Sequence, residues 1–261
     1  MASTVVTLLS DFGLCDAYVG IMKGVILSIC PEACCVDLTH DIPPHDIIAG
    51  ALVLRSAVNF FPSRTVHLAV VDPGVGSTRA AIAIETDKGT FVGPDNGLLS
   101  LAVGACGGAR AIWAIQPAES VSHTFHGRDV FSPAAARFAY GRKPPELATP
   151  LKTFQQLTLA TPQRQGTCIV GEILYVDRFG NLISNVSARD LDAFPSASLS
   201  VSIGSVSAIP LVSAYAQVQR GEPLAILNSW GMLELAVREG SAALMLGAVR
   251  GTPLVIETHR P

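Results

Sequence analysis

Charged side chains are scarce in this sequence: they make up 15% of its 261 residues, and the formal net charge is −3. Binding to a nucleic-acid backbone requires a basic surface, so this charge balance argues against nucleic acid as a partner. Hydrophobic residues make up 49% of the chain, which provides a sizeable core and argues against disorder. The mean hydropathy of +0.42 indicates that much of the surface is covered, as it would be between subunits.

The sequence also lacks signals for membranes, export and disulfides. No apolar run approaches the roughly 20 residues that span a bilayer, and residues 1–10 do not resemble an export signal. The six cysteines form no Cys-x-x-Cys pair, and the adjacent Cys34 and Cys35 suit neither an ordinary disulfide framework nor a tetrahedral zinc site. We therefore expect reduced, buried thiols in a cytoplasmic protein without membrane contact.

Several common enzyme motifs are missing as well. The sequence contains no Gly-x-Ser-x-Gly, no Walker A phosphate loop and no dinucleotide-type Gly-x-Gly-x-x-Gly. Serine hydrolases, NTPases and dinucleotide-dependent enzymes are therefore disfavoured.

The first part of the chain alternates short apolar runs with segments of helical spacing. This alternation is typical of an α/β domain with a mainly parallel sheet. The predicted strands are 5–10, 34–38, 66–71 and a hairpin of 80–85 with 90–92, and the predicted helices are 17–30, 46–58, a short one starting at 97, and 131–140.

The second part of the chain has a different texture. A polar stretch, 153–166, predicts a linker, and short β-rich runs bounded by Gly, Pro, Ser or Asn follow it. Such runs predict a small β-barrel or sandwich. We expect an N-terminal α/β domain at 1–155 and a smaller C-terminal β-barrel domain at 167–261, with a ligand in the cleft between them. The predicted C-terminal strands are 168–176, 199–203, 208–211, 224–228 and 254–258.

Polar side chains collect where the predicted N-terminal strands end. Asp11 and Asp16 could accept both hydroxyls of a ribose, or cap the helix that follows. Asp72 and Arg79 flank a Gly-rich loop and could hold a reacting atom between them, or form a structural ion pair. His126 could position or deprotonate a nucleophile, or simply pack.

One segment, 37–46, contains two histidines and three aspartates and invites a metal hypothesis. Its two prolines predict an extended turn, and no helical His-Glu-x-x-His pair is present. We favour a loop that lines a cleft, with Asp46 capping the next helix, and predict no metal.

Two turns of the C-terminal half carry residues suited to a nucleoside. Asp177 supplies a negative charge, Asn181 pairs a donor with an acceptor as a purine edge requires, and Trp230 offers a stacking face. Turn formation alone would also explain these residue types.

Taken together, seven segments in order along the chain resemble the S-adenosylmethionine (SAM) hydroxide adenosyltransferases, relatives of the SAM-dependent fluorinase and chlorinase. The resemblance implies an N-terminal α/β domain, a C-terminal β-barrel, and a homotrimer whose active sites lie between neighbouring subunits. SAM would be the substrate, with no cofactor. The segments are 9–16, 20–24, 71–79, 93–99, 125–133, 177–181 and 228–231.

The resemblance also implies roles for N-terminal residues. Asp11 and Asp16 would lie near the ribose, and Asp72, Arg79 and His126 would form the trio that holds and activates water.

Departures from the halogenating relatives favour water over halide. Gly127 falls where they carry a serine that helps to bind halide, and Asp72 falls where the fluorinase has tyrosine. The fluorinase's additional loop is missing too, since one short hairpin joins Arg79 to 93–96.

In the C-terminal domain, Asp177 matches the residue that takes the methionine amino group, and Asn181 matches the one that meets adenine. Trp230 stands where the fluorinase has arginine, so recognition of the methionine carboxylate must differ. The other implied pocket residues are Phe179, Tyr215 against adenine, and Ser229 in the methionine-binding turn.

The predicted function is hydrolysis of SAM to adenosine and L-methionine. The sulfonium is already a good leaving group, so catalysis chiefly needs a water held in line, about 3 Å from ribose C5′. Three alternatives stay open: a non-catalytic SAM or adenosine sensor, a halogenase of the same family, and an unrelated metal-dependent hydrolase.

Overall fold

The structure, a computed structural model, describes residues 4–117, 120–142, 148–192, 194 and 199–258. The chain divides into two compact units, Met1–Leu157 and Thr158–Pro261. This division falls within the stretch 153–166 that the sequence predicts as a linker. Across the described residues, no helix is long and apolar enough to cross a membrane.

The first unit is built on a sheet whose seven described strands lie in the order β2-β1-β3-β5-β4-β6-β7. Five of them point the same way: β2, β1, β3 and β5 pair in parallel, and β6 shares their direction because it is antiparallel to β4. β4 and β7 run in the opposite direction. The predicted α/β domain with a mainly parallel sheet is therefore confirmed. The strands are β1 (Val5–Ser10), β2 (Cys34–Thr39), β3 (Thr65–Val70), β4 (Ala81–Glu85), β5 (Gly89–Pro94), β6 (Ala111–Ile115) and β7 (Ala148–Leu151).

Helices cover both faces of this sheet, which explains why its central strands β1 and β3 are buried along almost their whole length. On one face, α1 (Tyr18–Ile29) and α4 (Ser132–Ala139) pack in a core that includes Leu8. On the other face lie α2 (Ile47–Ala57) and α3 (Ser100–Ala105). There a Cβ on Gly50 would stand 2.8 Å from Leu98 Cδ1, so glycine permits the close approach.

The second unit is a barrel of seven described strands with an eighth on its outside. The ring runs β9-β10-β14-β13-β12-β11-β15 and closes because β9 pairs with both β15 and β10. The predicted β-barrel is confirmed. Its strands are β9 (Cys168–Val176), β10 (Leu182–Ser187), β11 (Leu199–Ile203), β12 (Val206–Val212), β13 (Pro223–Leu227), β14 (Met232–Val237) and β15 (Pro253–Thr258), with short helices α5 (Ala188–Leu191) and α6 (Ala242–Leu246).

The linker prediction for 153–166 is wrong at its C-terminal end. Gln163–Gln165 forms the eighth strand, β8, which turns through Gly166 and pairs antiparallel with β9. A polar three-residue strand that is exposed at a sheet edge has no hydrophobic alternation, so the sequence carries no signal for it.

Candidate active site

The first cluster of polar residues lies at one edge of the N-terminal sheet. Asp11 directly follows β1, and Asp72 comes two residues after β3. Because β1 and β3 are neighbouring parallel strands, their carboxyl ends meet at the same edge, where open α/β sheets bind ligands.

Asp72, Arg79 and His126 form one hydrogen-bonded chain. The Arg79 Nε donates to Asp72 Oδ1 at 2.8 Å, and its Nη2 donates to Asp72 Oδ2. The same Nη2 lies 2.9 Å from His126 Nδ1. The Asp72 and Arg79 side chains are 5% and 11% exposed, so this ion pair is largely shielded from solvent. The three residues predicted as a trio are thus joined in one chain through Arg79.

This geometry defines the protonation state of His126. A guanidinium has donors and no acceptor, so Nδ1 must accept from Arg79, and the imidazole proton resides on Nε2. Burial, together with the nearby Arg79 charge, lowers the pKa of His126 below its ordinary value. His126 is therefore a neutral imidazole that offers an N–H donor.

A cation–π contact and a π-helical turn support the trio. The Arg79 guanidinium lies over the Phe131 ring, 5.1 Å from its centroid. Phe131 ends a π-helical turn, Gly127–Phe131, that directly follows His126 and leads into α4. Single π-helical turns of this kind are frequent at functional sites.

The Gly-rich loop between Asp72 and Arg79 is closely packed. Gly76 has a φ of +76°, and a Cβ there would stand 2.6 Å from the carbonyl oxygen of His123. Both facts require glycine, so this loop is fixed against the segment that carries His126.

Asp11 and Asp16 do not cap α1, because its N-cap is Ala17 without a side-chain hydrogen bond. Asp11 Oδ2 accepts from the backbone N–H of His45 at 2.8 Å, which ties the loop after β1 to the 37–46 segment. Asp16 is exposed. Asp46 does cap α2, as predicted, since its Oδ1 accepts from Ala49 N at 2.9 Å.

His40, one of the two histidines of the metal hypothesis, has other partners. His40 is buried, with Nδ1 2.7 Å from Ser10 Oγ and Nε2 3.0 Å from Asp37 Oδ1. Among the described residues, no three His, Cys, Asp or Glu side chains are grouped as a metal ion requires.

Gly127 lies in a crowded aromatic environment. A Cβ at this position would stand 3.1 Å from Met22 Sδ, 3.1 Å from Phe125 Cε2 and 3.2 Å from Phe12 Cε2. The Phe12 and Phe125 rings also pack edge to face, with centroids 6.1 Å apart. A side chain at Gly127 therefore requires its neighbours to shift by a few tenths of an ångström.

The second cluster lies on the C-terminal barrel. Asp177 and Asn181 close a tight turn, because Asp177 Oδ1 accepts from the backbone N–H groups of Phe179 and Asn181, both at 2.8 Å. Asp177 Oδ2 accepts from Asn181 Nδ2 at 3.0 Å. The turn hypothesis is thus correct for both residues, and the same turn directs them to a cavity.

Two adjoining cavities of about 530 and 400 Å³ share Phe179, Asn181 and Tyr215 in their walls. The smaller one is also lined by the remaining predicted residues of this half, Asp177, Ser229 and Trp230. Its apolar wall includes the Trp230 ring, which stacks on Tyr175 with centroids 5.9 Å apart. All six residues predicted for the C-terminal half therefore line one continuous depression.

Sequence reasoning missed one charged residue of this cavity. Glu234 is 4% exposed, lies in β14 and lines the same wall as Asp177. Its Oε1 accepts from the Tyr215 hydroxyl at 2.7 Å, and its Oε2 accepts from Asn228 Nδ2 at 3.1 Å. The available signal was a lone acidic residue inside an otherwise apolar run, Met232–Val237.

Comparison with known proteins identifies the family. The model of the SAM hydroxide adenosyltransferase N-terminal domain matches residues 6–148, and that of the C-terminal domain matches residues 171–255. The chain belongs to the SAM hydroxide adenosyltransferase family. The predicted resemblance is confirmed.

Relatives of this SAM hydroxide adenosyltransferase cover almost the whole chain. A protein named (R)-S-adenosyl-L-methionine hydrolase from Thermus thermophilus is 40% identical over 94% of this chain and 96% of its own. A fluorinase from Actinoplanes sp. is more distant, at 28% identity over 89% of this chain and 90% of its own. The crystal structure of an uncharacterized conserved protein from Thermotoga maritima superposes with a TM-score of 0.89 at 33% identity, over 96% of this chain and 99% of that one.

Proposed function

We propose that this SAM hydroxide adenosyltransferase hydrolyses S-adenosyl-L-methionine to adenosine and L-methionine. The observation that carries the proposal is the shielded Asp72–Arg79–His126 network at the carboxyl edge of the sheet. It is supported by curated relatives at 33–40% identity whose name is (R)-S-adenosyl-L-methionine hydrolase.

In the proposed reaction, the oxygen of a bound water attacks ribose C5′ from the side opposite sulfur. The C5′–O bond forms as the C5′–S bond breaks, the bonding pair goes to sulfur as the neutral thioether of methionine, and the water gives up a proton. The Nε2–H of His126 can orient the water. The Arg79 cation can stabilise the negative charge that develops on the water oxygen as it loses its proton. Asp72 neutralises and orients that guanidinium and is the nearby carboxylate towards which the water proton can move.

Substrate binding is assigned to both halves. Asp11 and Asp16 would take the ribose hydroxyls, and Asp177 the methionine ammonium. Asn181 would meet the adenine edge, with Tyr215 against its ring. Phe179, Ser229 and Trp230 would complete the methionine and adenine walls, and no cofactor takes part.

Water is favoured over halide because of Gly127. The serine that the resemblance associates with halide would place its Cβ 3.1–3.2 Å from Met22, Phe125 and Phe12. The site of this chain is therefore poorly shaped for that side chain.

We further propose that the protein is a homotrimer with active sites between subunits, located in the cytoplasm. Ile21 and Leu27 of α1 are 39% and 42% exposed, and Gly20 and Gly24 leave open space between them on the same side of the helix. A second copy of the chain would cover this apolar surface. Sedimentation analysis tests the trimer, which predicts a mass of three times 27.3 kDa.

The decisive experiment incubates the purified protein with SAM and separates the products by chromatography. Equimolar adenosine and methionine, produced equally well with a chelator, are expected. A 5′-halogenated nucleoside formed on adding chloride would indicate a halogenase. Binding of SAM without any product would indicate a sensor, and loss of turnover on chelation would indicate a metal-dependent hydrolase.

A further inference from the structure

The carboxylate of Glu234 has an unusual charge environment. It is 96% buried, and its two hydrogen-bond donors, Tyr215 and Asn228, are neutral. Burial and the Glu234 hydrogen bond raise the pKa of Tyr215 to about 12, so the phenol keeps its proton and remains a donor. A buried carboxylate is costly when no positive charge compensates it.

No cationic side chain supplies that compensation within the described residues. Asp177 and Glu234 are the charged residues that line the smaller cavity, and no Lys, Arg or His of the described chain lines it. Arg238 borders the adjoining cavity, where its Nη1 donates to the carbonyl oxygens of Val218 at 2.7 Å and Ala216 at 3.4 Å. Among the described residues, the smaller cavity is thus lined by two carboxylates and by no cationic side chain.

We infer that Glu234 is a specificity-determining residue that favours a sulfonium-bearing substrate over the corresponding uncharged, demethylated thioether. The inference rests on the proposed function, in which Asp177 takes the ammonium group of SAM. The positive charge that then remains on the substrate is the sulfonium. Glu234 supplies the second negative charge of the same cavity and so complements the positive charge of the sulfonium.

This role is one of binding and discrimination. The positive charge on sulfur disappears as the C5′–S bond breaks, so a nearby carboxylate stabilises bound SAM more than the transition state. Loss of the Glu234 charge should therefore raise KM for SAM and leave kcat unchanged or higher. A residue that only holds Tyr215 and Asn228 in place would lower kcat as well when altered.

The test variant is Glu234→Gln, because glutamine can keep both contacts. Its Oε1 can accept from Asn228 Nδ2, and its Nε2 can donate to the Tyr215 oxygen, so the substitution removes the charge and keeps both contacts, with the direction of the Tyr215 hydrogen bond reversed. The matched control is Glu257→Gln on the exposed surface of β15, which changes the net charge of the barrel equally. Thermal unfolding verifies that each variant is folded.

Calorimetry compares two ligands that are not hydrolysed. Sinefungin carries an ammonium-bearing carbon in place of the methylsulfonium, whereas S-adenosyl-L-homocysteine has a neutral thioether. In Glu234→Gln, sinefungin affinity should fall roughly tenfold and S-adenosyl-L-homocysteine affinity less than about threefold. In Glu257→Gln, the ratio of the two affinities should stay at the wild-type value.

Equal losses for the two ligands, or no loss, in a folded Glu234→Gln would overturn the inference. If that variant does not fold, the affinities of the wild type for the two ligands test the inference instead. A higher affinity for sinefungin than for S-adenosyl-L-homocysteine supports the inference. An affinity for S-adenosyl-L-homocysteine that is equal or higher overturns it. A wild type that hydrolyses SAM but fails these comparisons refutes the role of Glu234 alone. A wild type that neither binds these ligands nor hydrolyses SAM refutes the proposed function.

Discussion

The Nη2 of Arg79 lies 2.9 Å from Nδ1 of His126, and this contact requires the imidazole to be neutral with its proton on Nε2. Protonation of His126 would place a second N–H against the guanidinium and add a repulsive charge. The trio is therefore intact only while His126 is unprotonated.

A pH dependence follows from this contact. The pKa of His126 is lowered, so the neutral form persists below the ordinary histidine pKa, about 6.5. We expect kcat/KM for SAM to stay level from pH 8 to about 6.5 and to fall only at lower pH, as His126 gains its proton. Initial rates measured across this range check the prediction. His126→Gln should lose this acid limb along with most activity, and an unchanged limb would assign it to another group.

Asp72 should affect the chemical step more than binding. Asp72→Ala removes the carboxylate that orients Arg79, so turnover should fall by about a hundredfold or more, whereas the dissociation constant of SAM should change by less than about fivefold. Single-turnover kinetics and equilibrium binding measure the two quantities separately. Turnover that survives within a few-fold of the wild type would remove Asp72 from the mechanism.

Asp11 should show the opposite pattern. If it binds ribose hydroxyls, Asp11→Ala should chiefly weaken SAM affinity, by roughly tenfold or more. The carboxylate also accepts from His45 N at 2.8 Å, so Asp11→Asn, whose amide oxygen can still accept there, is the matched control for loop position. An Asp11→Ala protein with wild-type affinity would refute the ribose assignment.

The order of the N-terminal elements could be read from the sequence, whereas two of its strands could not. The apolar run of β1 and the helical spacing of α1 are local signals, and both elements lie where they were predicted. The strands β6 and β7 were not predicted. β7 is a short edge strand with little hydrophobic alternation. β6 lies between β4 and β7 and is a five-residue apolar run, a pattern that by itself does not distinguish a strand from a buried helix segment.

The site was predicted as residue types, and its geometry depends on contacts that are distant in sequence. Arg79 and His126 are 47 positions apart, so neither their contact nor the resulting tautomer follows from spacing. Glu234 was missed for a related reason. Its functional interest comes from burial beside Tyr215, which lies on a different segment of the barrel.

Gly127 should not tolerate a side chain without cost. Gly127→Ser places a Cβ 3.1–3.2 Å from Met22, Phe125 and Phe12, so we expect a loss of about 1–3 kcal/mol in the free energy of unfolding and reduced SAM turnover. Gly104→Ser on α3 is the matched control, since nothing lies within 4 Å of its Cβ position. Denaturant unfolding compares the two variants. Equal stabilities would show that the aromatic neighbours yield freely.

His67 should make the fold sensitive to acid, although it takes no part in the reaction. It is 2% exposed, lies 2.8 Å through Nδ1 from Thr7 Oγ1 and stacks on Phe91, and burial lowers its pKa from 6.5 to about 4. The unfolded chain therefore binds the proton more tightly, so this histidine's contribution to stability is complete above pH 6.5 and is lost as the pH falls towards 4. The shift corresponds to about 3 kcal/mol at full extent.

Urea unfolding of the wild type and of His67→Gln from pH 7.5 to 4 measures how the free energy of unfolding depends on pH. The variant should lack the part of the acid slope that His67 contributes. His123→Gln, at an exposed histidine, should keep the wild-type slope. If the His67 variant keeps it as well, other groups cause the acid sensitivity.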